Sequence, residues 1–107
     1  MQMSSTVLQV FTFRPRPGQL AHFMKNVAKG SKIISRDGGK VRLWNTANGG
    51  EPGTVLIGVE NSNYKTYGEY AEKLEADPEW RAFLTEIERE PDSDMVSSAM
   101  YVEQPVA

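Results

Sequence analysis

The 107-residue sequence contains no cysteine and a single histidine, His22. Disulfides, iron–sulfur clusters and cysteine-ligated zinc sites are therefore excluded, and so is a mononuclear site that needs two histidines from one chain. The carboxylates show no cluster at the spacing of metal ligands. We accordingly predict that the protein holds no metal and no cofactor.

Long apolar runs are lacking as well. No stretch approaches the roughly 18 consecutive apolar residues from which a membrane-spanning helix is built. The segment Met1–Ser5 has neither the basic region nor the apolar centre of a secretory signal. We therefore expect no contact with a membrane and a cytoplasmic location.

An overall excess of positive charge is also missing, because the formal net charge is −2. The charges are uneven: residues 1–59 carry eight Lys or Arg and two Asp or Glu, whereas residues 60–107 carry four and twelve. Solvated helix faces explain this pattern, and steering of self-association is the alternative. Nucleic-acid binding is not predicted, because the basic residues are not interleaved with stacking aromatic residues.

The composition, with 39% apolar and 24% charged residues, is that of one globular domain over residues 1–107, with a core at about 6–103. The stretch Thr6–Phe13 is apolar at both parities, which is typical of a central strand. The prolines and glycine that follow end it, and Pro17 suits a first helical turn. A helix is predicted over Gly18–Arg36, with one face made of Leu20, Phe23, Met24, Val27, Ser31 and Ile34.

The second half of the sequence predicts three more strands and one more helix, which is divided in two. Strands are predicted over Lys40–Trp44 and Thr54–Glu60, joined by a wide glycine-rich loop, and over Met95–Val102. Between them lies a helix that Asn61, Ser62 or Asn63 caps, and Asp77-Pro78 restarts it. The inner side chains of its two parts are predicted to be Tyr64, Tyr67, Ala71 and Leu74, then Trp80, Phe83, Leu84 and Ile87.

The order β-α-β-β-α-β predicts an α+β, ferredoxin-like fold, in which four antiparallel strands carry the helices on one face. The other face is left open. The residues that line it are Val7 or Leu8, Val41 or Arg42, Val55 or Leu56, and Ala99 or Met100, depending on the register. Because so much exposed apolar surface calls for a cover, we expect a homodimer in which two sheets form a barrel.

Several local motifs carry a resemblance to a known superfamily. They are Phe13-Arg14-Pro15, Arg36-Asp37-Gly38-Gly39, the wide hairpin, Tyr64–Tyr70 and Ala76-Asp77-Pro78-Glu79-Trp80. With them, the chain resembles the dimeric α+β barrel superfamily, and within it the antibiotic-biosynthesis-monooxygenase-like and NIPSNAP-like small domains. The resemblance implies the fold and not one activity, since the superfamily contains cofactor-free monooxygenases, haem-degrading enzymes and isomerases. The haem-degrading pattern is missing its first-strand Asn and its histidine on the second helix.

Two side chains are candidate catalytic groups, His22 and Tyr67. Candidate ligand-binding residues are Arg42 and Trp44, which share one strand face, and Tyr67, Trp80 and Phe83, which line a cleft between the second helix and the sheet. The ordinary alternatives are an exposed histidine, an arginine paired with a carboxylate, and aromatic side chains that pack in the core.

We therefore predict a homodimeric α+β barrel that binds a small, mostly apolar ligand or serves as an accessory module. The alternative is a cofactor-independent monooxygenase that acts on an aromatic substrate. A concave pocket with convergent polar groups distinguishes an enzyme from a module in which side chains fill that space.

Overall fold

The computed structural model describes residues 5–106. In chain order, the elements are β1 (Val7–Pro15), α1 (Leu20–Arg36), β2 (Lys40–Asn45), β3 (Val55–Asn61), α2 (Tyr64–Ala76), α3 (Pro78–Arg89) and β4 (Ser93–Val102). The predicted order is confirmed, with the second helix divided before Pro78. Residues 1–4, on which the expectation of no secretory signal mainly rests, lie outside this range. No helix within it is both long and apolar enough to cross a bilayer.

The four strands form one antiparallel sheet in the order β2-β3-β1-β4. As the two-sided apolar pattern predicted, β1 is an inner strand, with β3 on one side and β4 on the other. Its pairing with β4 shifts by one residue between Thr12 and Phe13, so that Val96 is an extra residue of β4. The strand order leaves β2 and β4 as the two edges of the sheet.

The register settles which side chains face the helices. Val7 and Val59 are buried beneath the helices, and the ring of Phe13 lies 5.9 Å from that of Phe23 in α1. Alternate residues along each strand project to the opposite side. That side, called the open face below, is lined by Leu8, Val10, Thr12, Arg42, Trp44, Leu56, Gly58, Glu60, Ala99 and Tyr101.

The core lies between the sheet and the helices. Ile34, Val59 and Tyr70 form its central cluster, and burial is the main cause that raises the pKa of Tyr70 to about 12. The packing explains why residue 30 is a glycine, because a Cβ at this position would lie 2.9 Å from the ring of Phe83. The glycine lets α1 and α3 cross closely.

The helix starts show both agreement and difference. Asn63 caps α2 in a capping box with Thr66, and Asp77 caps α3, as predicted. Pro17, however, does not begin α1. The amide of Gln19 donates to the carbonyl of Arg16 at 2.9 Å, and Gly18 has a φ of 77°, so Pro17 occupies the second position of a type II turn.

Three residues predicted on inner faces are exposed: Leu20, Tyr64 and Leu84. In α2 the buried face centres on Tyr70 and Leu74, and Tyr64 lies about 100° around the helix from it at 100° per residue. In α1 the buried face contains Ile33 and Gly30 in addition to Phe23 and Ile34. The inner faces are therefore rotated from those that the apolar spacing predicted.

Candidate functional site

The predicted site residues lie in three different places in the fold. Arg42 and Trp44 lie on the open face, Tyr67 lies on the helix-covered side, and His22 lies in the first turn of α1. Trp80 and Phe83 belong to α3, on the same side of the sheet as Tyr67. Within one chain the predicted residues therefore do not form a single site.

On the open face, the indole of Trp44 lies across the backbone of β3. A Cβ on Gly58 would be 2.6 Å from Cζ3 of this ring, so glycine is what allows the close approach. The Trp44 side chain is still 42% exposed. Beside it, Nη2 of Arg42 lies 3.3 Å from Oε1 of Glu60, which is the carboxylate pairing that the ordinary interpretation anticipated.

On the helix-covered side, Tyr67 is half-buried and places its hydroxyl next to the sheet. The amide Nε2 of Gln9 donates to this hydroxyl over 3.5 Å, a long hydrogen bond. Gln9 pairs in the sheet with Met100, whose side chain is 44% exposed although its parity points to the helix side. The helices therefore leave part of β4 uncovered beside Tyr67.

Trp80 and Phe83 pack against each other and against the helices. Their ring centroids are 5.4 Å apart, and Phe83 is buried against Gly30 of α1. Trp80 contacts the central cluster of the core, as Tyr67 does. The surfaces of Trp80 and Phe83 are thus largely used in joining α3 to α1 and to the sheet.

His22 lines an open depression of about 780 Å³ where β1, α1 and the end of α3 meet. The lining residues are Arg16, Pro17, Gly18, Gln19, Ala21, His22, Glu90 and Pro91. The imidazole is 44% exposed, and its Nδ1 lies 3.2 Å from Oδ2 of Asp92. The expected exposure of His22 is confirmed, but a carboxylate partner was not foreseen.

Asp92 is the residue that the sequence reasoning missed. Its side chain is only 4% exposed, and Oδ2 accepts a hydrogen bond of 2.7 Å from Nδ2 of Asn26. Its carbonyl accepts one of 2.8 Å from the amide of Arg16. The partners lie far away in sequence, so no local pattern identifies this aspartate.

A second polar cluster ties the end of α1 to the start of α3. The guanidinium of Arg36 pairs with Asp77 and Glu79, while Asp37 lies beside them. Burial, followed by the hydrogen bond with Asp77, raises the pKa of Asp37. Burial also acts to raise the pKa of Asp77, but hydrogen bonds from Asp37, Arg36 and the Glu79 amide outweigh it and lower that pKa. Arg36 supplies the positive charge in this cluster.

The acidic and histidine side chains of the described residues do not converge elsewhere. Within residues 5–106, no three such side chains are grouped closely enough to hold a metal ion. The polar groups that could act on a ligand are therefore the Tyr67–Gln9 pair, the Arg42–Glu60 pair and the His22–Asp92 pair.

Comparison with known proteins extends the description of the fold. No protein-family model matches the sequence, and no curated protein matches it either. Solved structures do match. A NIPSNAP domain protein from Burkholderia xenovorans is 22% identical, with a TM-score of 0.70 over 94% of this chain and 95% of that one.

Two further solved structures are similar to this chain over almost its whole length. A NIPSNAP family protein of unknown function from Agrobacterium tumefaciens has a TM-score of 0.67 and 19% identity, over 94% of this chain and 87% of that one. SnoaB, a cofactor-independent oxygenase from Streptomyces nogalater, has a TM-score of 0.65 and 14% identity, over 95% and 96%. The chain thus has the fold that NIPSNAP proteins share with this oxygenase, as the sequence resemblance implied.

Proposed function

We propose that the protein is a cytoplasmic homodimer whose subunits cover each other's open face, and that each subunit binds a small, mostly apolar ligand beside Tyr67. The observation that carries the proposal is the unequal covering of the sheet. On one side the three helices cover the sheet except for part of β4, whereas the open face presents Trp44 and a 57% exposed Tyr101. A ferredoxin-like sheet with this much exposed apolar surface is stabilised when a second sheet covers it.

The charges on the open face fit a second copy of the chain. Arg42 and Glu60 lie side by side there with opposite signs. A two-fold axis that passes beside this pair would bring Arg42 of each subunit against Glu60 of the other in a self-complementary contact. Around this pair, Leu8, Val10 and Leu56 supply the apolar centre of the interface.

A matched pair of substitutions tests the dimer. Light scattering at micromolar concentration and moderate salt should give twice the 12.0 kDa mass of one chain. Leu56→Glu, on the open face beside Trp44, should yield a folded monomer. Leu84→Glu, on the exposed surface of α3, is the control and should remain a dimer. A wild-type monomer, or equal behaviour of the two variants, would contradict the proposal.

The ligand site is placed on the helix side, because the proposed dimer uses Arg42 and Trp44 in its interface. Tyr67 and Gln9 offer a hydroxyl and an amide, and the exposed thioether of Met100 lies one strand away. A few polar groups beside an apolar surface are what a small aromatic or apolar molecule with one polar substituent requires.

Binding of 1-naphthol, measured by calorimetry, tests this site. Met100→Lys should weaken binding about tenfold or more, because it places a charge on the apolar surface. Tyr67→Phe should weaken it roughly two- to tenfold, the effect of one lost hydrogen bond. Met95→Lys, at the far end of β4, is the control and should bind normally. Equal affinities in all three variants would place the ligand elsewhere.

A second candidate function is a cofactor-independent monooxygenase that acts on an aromatic substrate. The shared fold with SnoaB favours it, as does the Tyr67 hydroxyl at an apolar surface. The reaction needs no external reductant: a phenol and O₂ give a quinone and water, so that the substrate supplies all the electrons. Desolvation beside aromatic side chains would assist this chemistry.

Oxygen consumption with a naphthalenediol separates this enzyme from a binding protein. Chelator-treated protein should keep its full turnover, and Tyr67→Phe should lower it. No consumption above the buffer rate would leave ligand binding alone. A tightly bound metal ion, with turnover lost on its removal, would overturn the cofactor-independent reading.

A further inference from the structure

Two methionine side chains of the edge strand β4 are accessible to solvent. Met95 is 56% exposed and Met100 is 44% exposed. Their pairing with β1 places both on the helix-covered side of the sheet, where the helices leave part of β4 uncovered. In the proposed dimer the second copy covers the opposite face, so both thioethers stay open to a dissolved oxidant. Oxidation of a methionine converts an apolar side chain into a polar one.

The two methionines differ in what lies opposite them on β1. Met95 pairs with Phe13, whose ring lies 5.9 Å from that of Phe23, whereas Met100 pairs with Gln9. Side chains at directly opposed positions have Cβ atoms roughly 4.5–5.5 Å apart. The long side chain of Met100 therefore lies beside a carboxamide, and that of Met95 lies beside a ring without a hydrogen-bonding group.

The carboxamide of Gln9 has a hydrogen-bond donor that the fold leaves unused. Its Nε2 donates to the Tyr67 hydroxyl over 3.5 Å, and this is its one side-chain hydrogen bond among residues 5–106. An amide nitrogen carries two hydrogens, so the second is free. The thioether of Met100 is only a weak acceptor for it, whereas a sulfoxide oxygen would be a strong one.

We propose that Met100 is an oxidation site whose sulfoxide accepts a hydrogen bond from Gln9 and so lowers the affinity of the proposed ligand site for apolar molecules. The inference rests on the proposed ligand site beside Tyr67 and adds a means of regulating it. The oxidant is hydrogen peroxide. Its O–O bond breaks, an S–O bond forms at Sδ, the sulfur loses two electrons, and the other peroxide oxygen leaves as water. Methionine sulfoxide reductases, with a dithiol as reductant, reverse the change.

Calorimetry with 1-naphthol before and after peroxide treatment measures the effect on binding. Fragment-ion mass spectrometry should show a sulfoxide at Met100. The oxidised wild-type protein should bind 1-naphthol about fivefold or more weakly, because the ligand then competes with a hydrogen-bonded sulfoxide. Reductases for both sulfoxide epimers should restore the affinity. A Met100 that stays reduced while Met95 is oxidised, or equal affinities with Met100 oxidised and reduced, would overturn the proposal.

A matched pair of variants assigns the effect to one sulfur. Each variant is compared with its own untreated affinity. Met100→Leu has no sulfur at this position and should show the same affinity before and after peroxide. Met95→Leu is the control, on the same strand but opposite Phe13, and should lose affinity on oxidation as the wild type does. A loss of affinity in peroxide-treated Met100→Leu would place the sensitive residue elsewhere.

A measurement without ligand separates this inference from the proposed function. In ¹H–¹⁵N spectra, peroxide should shift the side-chain amide signals of Gln9 in the wild type and in Met95→Leu, and leave them in place in Met100→Leu. Untreated protein that does not bind 1-naphthol would refute the ligand site itself and, with it, the regulation of that site. Unshifted Gln9 signals in protein oxidised at Met100 would refute the sulfoxide–Gln9 contact even where 1-naphthol binds.

Discussion

The two sides of the sheet differ although the strands between them are apolar on both. Towards the helices, Val7, Val59 and Ile33 are almost entirely buried. On the open face, Trp44 and Tyr101 keep about half of their surface in solvent. A single chain therefore packs one side of the sheet within the subunit, whereas the open face would be packed by the second copy in the proposed dimer.

A pair of glycines tests this difference and should give the largest effect. A Cβ on Gly39 would lie 2.7 Å from Cγ1 of Val59 and 2.8 Å from Cγ2 of Ile34, both inside the core. Gly39→Ala should therefore lower the free energy of unfolding by about 2 kcal/mol, the usual cost of overpacking. Gly58→Ala should cost less than about 1 kcal/mol in the monomer, because the exposed ring of Trp44 has room to turn away.

Urea unfolding of both variants provides the measurement, with the dimer-breaking Leu56→Glu background used for each. The fluorescence of Trp44 should change in Gly58→Ala and not in Gly39→Ala. Equal losses of stability in the two variants would show that the open face is packed as rigidly as the core.

The next effect concerns the cluster that ties α1 to α3 on the helix side. Asp77 accepts a hydrogen bond of 2.9 Å from the Glu79 amide and pairs with Arg36. Asp77→Ala should lower Tm by roughly 5–8 °C through the loss of the N-cap. Asp77→Asn keeps the cap and should lose less. Because the pKa of Asp77 is lowered, its contribution is present above about pH 3.9 and is lost as pH falls through the folded value.

The contribution of Asp37 to stability should depend on pH with the opposite sign to that of Asp77. Burial raises its pKa, and within the described residues its Oδ2 is buried without a hydrogen-bond partner. The folded state therefore prefers the protonated form, and the charge destabilises folding as pH rises above about 3.9. Asp37→Asn should raise Tm by roughly 3 °C at pH 7. The gain should vanish near pH 3; a gain that is constant with pH would contradict this interpretation.

The smallest effect on stability is expected for Tyr101, which lies on the open face of the edge strand β4. Tyr101→Ser should change the stability of the Leu56→Glu monomer by less than about 0.5 kcal/mol, as exposed positions usually do. In the otherwise wild-type chain it should weaken self-association, measured by sedimentation equilibrium. A large loss of monomer stability would mean that Tyr101 packs within its own subunit.

The element order could be read from the sequence because apolar spacing and turn residues are local signals. Asn63, Asp77 and the glycine after α1 marked the helix ends for the same reason. The register of the strands could not be predicted from the sequence. Val7 and Leu8 are both apolar, and only the pairing with β3 shows which of them faces the helices. Tyr64 was misplaced because spacing alone does not show which side of a helix meets the sheet.

The candidate site was less accessible to sequence reasoning. His22 stood out as the only histidine, but its partner Asp92 is one of several acidic residues after Pro91. Its burial arises from contacts with Asn26 and Arg16, which are 66 and 76 positions away in the chain. Such contacts exist only once β1 and β4 are paired.

That pairing also sets the order in which the chain can assemble during synthesis. The first strand made, β1, lies between β3 and β4, and Val7 pairs with Val102 at the other end of the sheet. Until the residues of β4 have left the ribosome, one side of β1 keeps its backbone amides and carbonyls unpaired. A nascent chain therefore carries an apolar, open strand edge until β4 has been made, which is the state that aggregates or recruits chaperones.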